Sequence, residues 1–252
     1  MTPDPLVPAP SHAGSAASPA GSDGTVDLPG GPSAGQPAGA VAPGDSPYKA
    51  YTEVGVGPHP QPWPDDPWYD PELLATGDAR NVEDRFRYWT VEAIRAELDT
   101  CRRPLHVAIQ NWEHDFNIGS IVRTANAFNV AGVHILGRRR WNKRGALVTD
   151  RYLPVYHHPS VASLVDWLDA AGVTLVGIDN VPGSVALETT ELPEHVCLLF
   201  GSEGPGLTDE AVAACSYVAA ITQAGSTRSM NAGAAAAIAM YHWALRWAPL
   251  QG

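Results

Sequence analysis

The sequence is poor in cysteine, in long apolar runs and in the features of an export signal. Three cysteines among 252 residues are too few for a disulfide framework or a four-thiolate zinc site, and they favour a reducing compartment. No run of about 18 apolar residues is present, so a membrane-spanning helix is not expected. The first ten residues carry neither a basic segment nor an apolar one, which argues against a secretory signal peptide. We therefore expect a cytoplasmic protein with no membrane partner.

The first 50 residues contain almost no aromatic or β-branched side chains. They include 10 prolines and 8 glycines, and half of the others are alanine or serine. Such a composition cannot bury enough apolar surface to offset the entropy of ordering, so residues 1–50 are predicted to be a disordered tail. Residues 51–103 are predicted to form an aromatic and proline-rich strap and a helix that begins after Thr90. The strap residues Trp63 and Trp68 either pack onto a domain surface or stack on nucleic-acid bases.

The net charge of −11 is concentrated in one part of the chain. Residues 1–100 carry 15 acidic and 5 basic residues, whereas residues 101–252 have a net charge of only −1. The overall acidity therefore does not exclude a nucleic-acid partner. Six basic residues lie within 14 positions, and they are Arg138, Arg139, Arg140, Lys143, Arg144 and Arg151. This cluster favours RNA phosphate binding, and a solvated run of charges is the alternative.

Residues 104–252 alternate between short apolar segments and segments with helical periodicity. Strands are predicted at 105–109, 133–136, 174–178, 195–200 and 217–221. Helices are predicted at 118–128, 161–170, 209–214 and 230–247. Such alternation is typical of an α/β domain with a mostly parallel sheet flanked by helices.

Three polar segments rich in glycine or asparagine follow predicted strands, where ligands of doubly wound folds bind. They are residues 117–125, 198–207 and 221–238. The second segment reads G-x-x-G-x-G, which is not the dinucleotide fingerprint G-x-G-x-x-G, and it lies late in the domain. A nicotinamide-dependent dehydrogenase is therefore disfavoured. Taken singly, each segment is also explained by helix capping or a structural turn.

The order and spacing of the three segments resemble the SpoU/TrmH family of the SPOUT superfamily, the S-adenosylmethionine-dependent RNA 2′-O-ribose methyltransferases. The family's first motif, N-x-G-x-x-x-R, resembles Asn117, Gly119 and Arg123. Its second motif, G-x-E-x-x-G-L, resembles Gly201, Glu203, Gly206 and Leu207. Its third motif, which contains serine and asparagine, resembles Gly225, Ser229 and Asn231. The chain departs from the third motif at Thr222, where proline is usual, and at Ala232 and Gly233, where valine and serine are usual.

The resemblance implies a C-terminal deep trefoil knot, an S-adenosylmethionine cofactor, no metal, and a homodimer packed partly through the last helix. It implies catalytic roles for Arg123, Asn117, Glu203, Ser229 and Asn231. It implies a cofactor pocket formed by Leu199, Phe200, Gly201, Gly206, Ile221, Gly225, Met230 and Asn231. The methyl acceptor would be a ribose 2′-hydroxyl of tRNA, with a D-loop guanosine favoured. An rRNA substrate and a non-catalytic RNA-binding protein with the knotted fold are the alternatives.

Overall fold

The computed structural model describes residues 55–112, 117–202 and 204–248. The predicted tail at 1–50 and the predicted catalytic residue Glu203 lie outside the described residues. Seven strands form one sheet, and their bounds are β1 Arg103–Asn111, β2 Val130–Gly137, β3 Val155–His158, β4 Thr174–Ile178, β5 Val185–Ala186, β6 Val196–Phe200 and β7 Tyr217–Ala220. All neighbours pair in parallel, in the order β3-β2-β1-β6-β4-β7-β5. The predicted mostly parallel α/β sheet is confirmed.

The described residues contain six α-helices, of which α1 and α2 precede the first strand and the other four follow strands of the sheet. Their bounds are α1 Pro71–Thr76, α2 Val91–Asp99, α3 Asn117–Ala127, α4 Val161–Ala171, α5 Asp209–Ala214 and α6 Ala232–Trp247. The predicted start of α2 is confirmed, because the Thr90 hydroxyl accepts a hydrogen bond from the Ala93 amide at 3.1 Å. Elements α1, β3 and β5 were not predicted, because they are too short or too polar to show a clear hydrophobic period.

The central strands β2, β1, β6 and β4 are buried on both faces, as the apolar sequence of β6 predicts. Val196, Leu198 and Phe200 pack into one apolar core with α3 and α6. The intervening Cys197 and Leu199 pack into a second core with α4 and α5. This alternation follows from the two-residue period of a strand and covers the sheet with helices on both sides.

The N-terminal extension packs its aromatic side chains partly on one another. The rings of Trp68 and Trp89 lie 5.7 Å apart, and the Trp63 indole donates a hydrogen bond to the His59 carbonyl at 3.1 Å. Both strap tryptophans nevertheless keep more than a third of their surface exposed. Packing therefore accounts for part of each ring and leaves the other part open to a ligand.

Three buried histidines form a hydrogen-bonded chain across β1, β2 and β3. His106 Nδ1 lies 3.0 Å from His134 Nε2, and His134 Nδ1 lies 2.9 Å from His158 Nε2. His158 Nδ1 lies 3.2 Å from the Ser163 carbonyl, which can only accept. In the neutral chain each ring therefore donates from Nδ1, and the rings of His134 and His158 accept at Nε2. Trp167 covers the centre of the chain, with its ring 4.6 Å from that of His134.

This histidine chain predicts a loss of stability in mild acid. Burial lowers the pKa of His106 to about 4 and that of His134 to about 2. Between about pH 6.5 and 4 these histidines become protonated in the unfolded chain but stay neutral in the folded protein. The free energy of unfolding therefore falls as the pH falls. Each histidine contributes about 1.4 kcal/mol per pH unit. Urea unfolding at several pH values should show a flatter slope for His134→Gln than for wild type or His59→Gln. Equal slopes in all three would contradict the assignment.

Candidate functional site

A cavity of about 560 Å³ opens at the carboxyl ends of β4, β6 and β7. Three chain segments line it, each following one of these strands. They are residues 178–181 after β4, a glycine loop (201–207) after β6, and a polar loop (221–231) after β7. In α/β sheets this edge is the usual place for a ligand, and the volume suits a nucleoside-sized molecule.

The glycine loop folds tightly on itself. The Ser202 amide donates to the Gly206 carbonyl at 3.2 Å, and the Gly206 amide donates to the Ser202 carbonyl at 3.0 Å. A Cβ atom on Gly201 would overlap the backbone of Gly206 and Leu207. The sequence interpretation assigned these glycines to close approach by a ligand. The structure shows that the fold of the loop also requires glycine at position 201, because no side chain fits between its two arms.

Asp179, which the sequence interpretation missed, supports the glycine loop from β4. Its carboxylate accepts a hydrogen bond from the Leu207 amide at 2.7 Å and another from the Asn180 amide at 2.7 Å. Gly206 has a φ of 74°, and a Cβ there would collide with the same carboxylate. The signal in the sequence is an acidic residue directly after an apolar strand, yet its partner lies 28 positions away and could not be read.

Gln110 supports the same loop from the end of β1. Its fully buried side chain accepts from the Thr208 amide at 3.0 Å and donates to the Thr208 hydroxyl at 2.9 Å. The Ser202 hydroxyl donates to the Gln110 carbonyl at 3.2 Å. The loop is thus held from two strands, which gives the cavity a fixed wall.

The first and third motifs meet through two asparagines. Asn231 Nδ2 donates to Asn117 Oδ1 at 2.8 Å, and Asn231 Oδ1 caps α6 by accepting from the Ala234 amide at 3.1 Å. The departure at Gly233 has a steric basis, because a Cβ there would lie 2.7 Å from the Ser120 hydroxyl. The start of α6 therefore packs closely against α3, and a serine at 233 would require the Ser120 side chain to move.

Thr222, where the family motif usually has proline, forms two hydrogen bonds to a nearby side chain. A proline has no amide hydrogen, but Thr222 has one, and it donates to the Glu188 carboxylate at 2.6 Å. The Thr222 hydroxyl donates to the second oxygen of that carboxylate at 3.1 Å. Glu188 thereby ties down the start of the polar loop (221–231).

The predicted catalytic residues occupy three kinds of position. Ser229 and Asn231 line the cavity, and Asn117 is joined to it through Asn231. Arg123 lies on α3, exposed and outside the cavity lining. Glu203 lies outside the described residues.

Most of the predicted cofactor residues surround the cavity. Those that line it are Phe200, Gly201, Gly206, Ile221, Met230 and Asn231. Leu199 is fully buried in the second core, one residue behind the lining, and Gly225 is not part of the lining. Arg228 and Asp179 add one charge of each sign that the sequence interpretation had not placed there.

The six predicted RNA-binding residues are all exposed on one loop (138–151), here called the basic loop. Its start is anchored by Asn111, whose amide donates to the carbonyls of Arg138 at 2.7 Å and Arg140 at 2.9 Å. Its middle rests on α3, because the backbone of Gly145 packs directly against that of Gly119. The positive charge therefore lies beside the helix that carries Asn117.

Within the part of the chain that the structure describes, no group of histidine, cysteine or acidic residues could hold a metal ion. Over the same residues, no helix has the length and apolarity needed to cross a membrane.

Comparison with known proteins places the chain in a family. Residues 104–241 match the model of the SpoU rRNA Methylase family. The chain is 32% identical over 157 residues to an uncharacterized tRNA/rRNA methyltransferase of Mycobacterium ulcerans, covering 59% of this chain and 49% of that protein. It is 26% identical over 149 residues to the tRNA (guanosine(18)-2′-O)-methyltransferase of Escherichia coli K12, covering 58% of this chain and 65% of that protein.

A solved structure supports the same grouping. The SpoU methyltransferase AviRb from Streptomyces viridochromogenes, in complex with the cofactor AdoMet, superposes with a TM-score of 0.53 at 25% identity, covering 68% of this chain and 67% of that one. The chain spans about half the length of the first curated relatives it matches. Because the family model covers more than half of the chain, this protein belongs to the SpoU methylase family.

Proposed function

We propose that the protein is an S-adenosylmethionine-dependent RNA methyltransferase that acts on a ribose 2′-hydroxyl in the cytoplasm. The observation that carries the proposal is the junction of Asn117 and Asn231 beside the cavity, because it joins two family motifs that are 114 positions apart. The cavity fits the cofactor in size, and its backbone-rich glycine loop leaves room for a flat nucleoside. When bound, S-adenosylmethionine would supply an electrophilic methyl group.

Arg123 serves best as an electrostatic group on the RNA side of the site. Arginine side chains in general keep their proton to a pKa above about 12, so they are poor bases. A guanidinium can instead bind the phosphate beside the target ribose and stabilise the developing alkoxide. Its exposed position on α3, outside the cavity lining, suits contact with RNA.

The remaining predicted catalytic residues would position the reactants. Asn117, held by Asn231, would orient the ribose or the guanidinium of Arg123. Ser229 and Asn231 line the cavity and would bind cofactor or substrate through hydrogen bonds. Glu203 would position Arg123 or Asn117. Alignment of this kind supplies up to about 7–11 kcal/mol of a displacement barrier.

The favoured substrate is tRNA, at a D-loop guanosine, and rRNA is the second candidate. The relative from Escherichia coli supports the first, and the name of the SpoU rRNA Methylase family supports the second. The test is tritium transfer from methyl-labelled S-adenosylmethionine to tRNA and rRNA that lack 2′-O-methylation, followed by nucleoside mass spectrometry. Labelled 2′-O-methylguanosine from tRNA is expected. Label in rRNA alone would change the substrate, and no label with intact cofactor binding would favour a non-catalytic RNA-binding protein.

The basic loop is proposed to bind RNA phosphates. Replacing Arg138, Arg139 and Arg140 by alanine should weaken RNA binding and flatten its salt dependence by about 0.7 to 0.9 per lost phosphate contact. The loop should stay folded, because its anchors to Asn111 use the backbone carbonyls. The measurement is the RNA dissociation constant at several salt concentrations. A slope equal to that of wild type would make the cluster a solvated run of charges.

The proposal includes a C-terminal trefoil knot and a homodimer. Support for the dimer comes from α6, where Ile238, Tyr241 and Leu245 form one exposed apolar stripe at helical spacing. The stripe offers a second copy of the chain an apolar face to cover. The position of β6 between the earlier strands β1 and β4 is compatible with a knot.

The dimer can be tested by charging this stripe. The double change Tyr241→Glu and Leu245→Glu should convert a dimer into a monomer in sedimentation equilibrium, since paired stripes would bury like charges. Val185→Glu, at an exposed apolar residue on β5, is the control and should leave the dimer intact. A wild-type monomer at micromolar concentration would refute the dimer.

A further inference from the structure

Two large apolar side chains lie exposed in the middle of the basic loop. Leu147 is 56% exposed and Val148 is 51% exposed. Single exposed apolar residues are common and need no explanation. Two adjacent exposed apolar residues at the tip of a positively charged loop form a small apolar surface surrounded by charge, and this combination indicates a binding surface.

The backbone at this tip is unfavourable for the residues that occupy it. Leu147 has a φ of 46° and Val148 a φ of 62°, so both lie in the left-handed region. Glycine or asparagine would adopt this conformation at lower cost, and a β-branched valine is especially unsuited to it. Strain of this kind persists where surrounding structure imposes it, and it concentrates at functional sites.

The residues around the tip hold it in place. Ala146 is fully buried, and the Thr149 hydroxyl donates to its carbonyl at 2.7 Å. The Lys143 ammonium pairs with Asp150 at 2.6 Å across the base of the tip. Together with the packing of the loop backbone on α3, these contacts make a rigid base. It presents Leu147 and Val148 to solvent close to the helix that carries the first motif.

We propose that Leu147 and Val148 form an apolar contact for an unstacked nucleobase of the RNA substrate. Arg144 precedes the tip and Arg151 follows it, and both are exposed, so an anionic strand that crosses the tip can have its phosphates neutralised on both sides. Bases in single-stranded loops are splayed out and offer apolar faces. Apolar side chains that pack between or against bases are a known way to hold a distorted strand. This inference rests on the proposed function and adds a base contact to its phosphate contacts.

The test replaces both apolar residues by asparagine, as Leu147→Asn with Val148→Asn. Asparagine tolerates the left-handed conformation better, so the variant should melt at the same temperature as wild type or higher. RNA affinity of the full chain should nevertheless fall about tenfold, with an unchanged salt slope, because the lost contact is apolar. The probe is unmodified tRNA or rRNA, whichever accepts label from the wild type. Val185→Asn is the matched control for removing an exposed apolar residue elsewhere, and it should bind as wild type does.

The outcomes separate the inference from the function beneath it. Wild-type affinity in the double variant, with wild-type methyl transfer to RNA intact, overturns the apolar contact alone. A flatter salt slope in the double variant also overturns it, because the loss would then come from phosphate contacts. Unchanged RNA affinity with loss of a dimer in sedimentation would overturn it too and assign the tip to a second copy of the chain. Absence of RNA binding by the wild type would overturn the proposed function and the inference together.

Discussion

Replacement of Arg123 by alanine should lower the rate of methyl transfer by about 100- to 1000-fold, while cofactor affinity stays within about twofold of wild type. The guanidinium is exposed on α3 and lies outside the cavity lining, so its removal leaves the cofactor walls unchanged. Loss of an oxyanion-stabilising group typically lowers kcat by about 100- to 1000-fold. The measurements are single-turnover tritium transfer to RNA and calorimetric titration with S-adenosylmethionine.

Two further variants sharpen this result. Arg123→Lys keeps the charge but loses the two-pronged hydrogen-bonding geometry, so an intermediate rate is expected. Arg95→Ala removes an exposed arginine from α2 and should change neither measurement. Normal turnover by Arg123→Ala would remove Arg123 from the site and leave the proposed mechanism without its electrostatic group.

The change Gly201→Ala should destroy cofactor binding. Its Cβ would overlap the backbone of Gly206 and Leu207, so the two arms of the glycine loop must separate. Separation breaks the paired hydrogen bonds between Ser202 and Gly206 and releases the contact from Asp179 to Leu207. A cavity wall that is held from two strands would then be lost. We expect cofactor affinity to fall at least about 100-fold, which corresponds to about 2.8 kcal/mol of binding free energy.

The control for this substitution separates local steric overlap from a general effect of replacing glycine. A Cβ on Gly57 would have no heavy atom within 4 Å, and the residue has no positive φ, so Gly57→Ala should bind cofactor as wild type does. The two variants can be compared by thermal melting with and without S-adenosylmethionine. Ligand-induced stabilisation should disappear in Gly201→Ala alone. Full stabilisation in that variant would mean that the cofactor does not depend on the glycine loop.

The sequence by itself determined the class of fold and the positions of the three motifs. Both are local properties. The apolar run of the strand at 196–200 and the small, polar residues that follow each strand can be read without knowing what lies next to them. Hydrophobic periodicity also located α4 and α5 to within one residue, and it located the start of α2. It failed for β3, whose second histidine is buried through hydrogen bonds to other polar groups and not through apolar character.

Only the tertiary structure decided which residues meet. The pairing of Asn117 with Asn231, the hold of Asp179 and Gln110 on the glycine loop, and the histidine chain across three strands all join distant positions. The contacts around the cavity exist because β6 pairs between β1 and β4, which brings the ends of non-consecutive strands to one edge. Hydrophobic patterning says which face of a strand is buried, but strand order depends on how all the elements pack at once. The motifs could therefore be read from the sequence, while the residues that hold them in place could not.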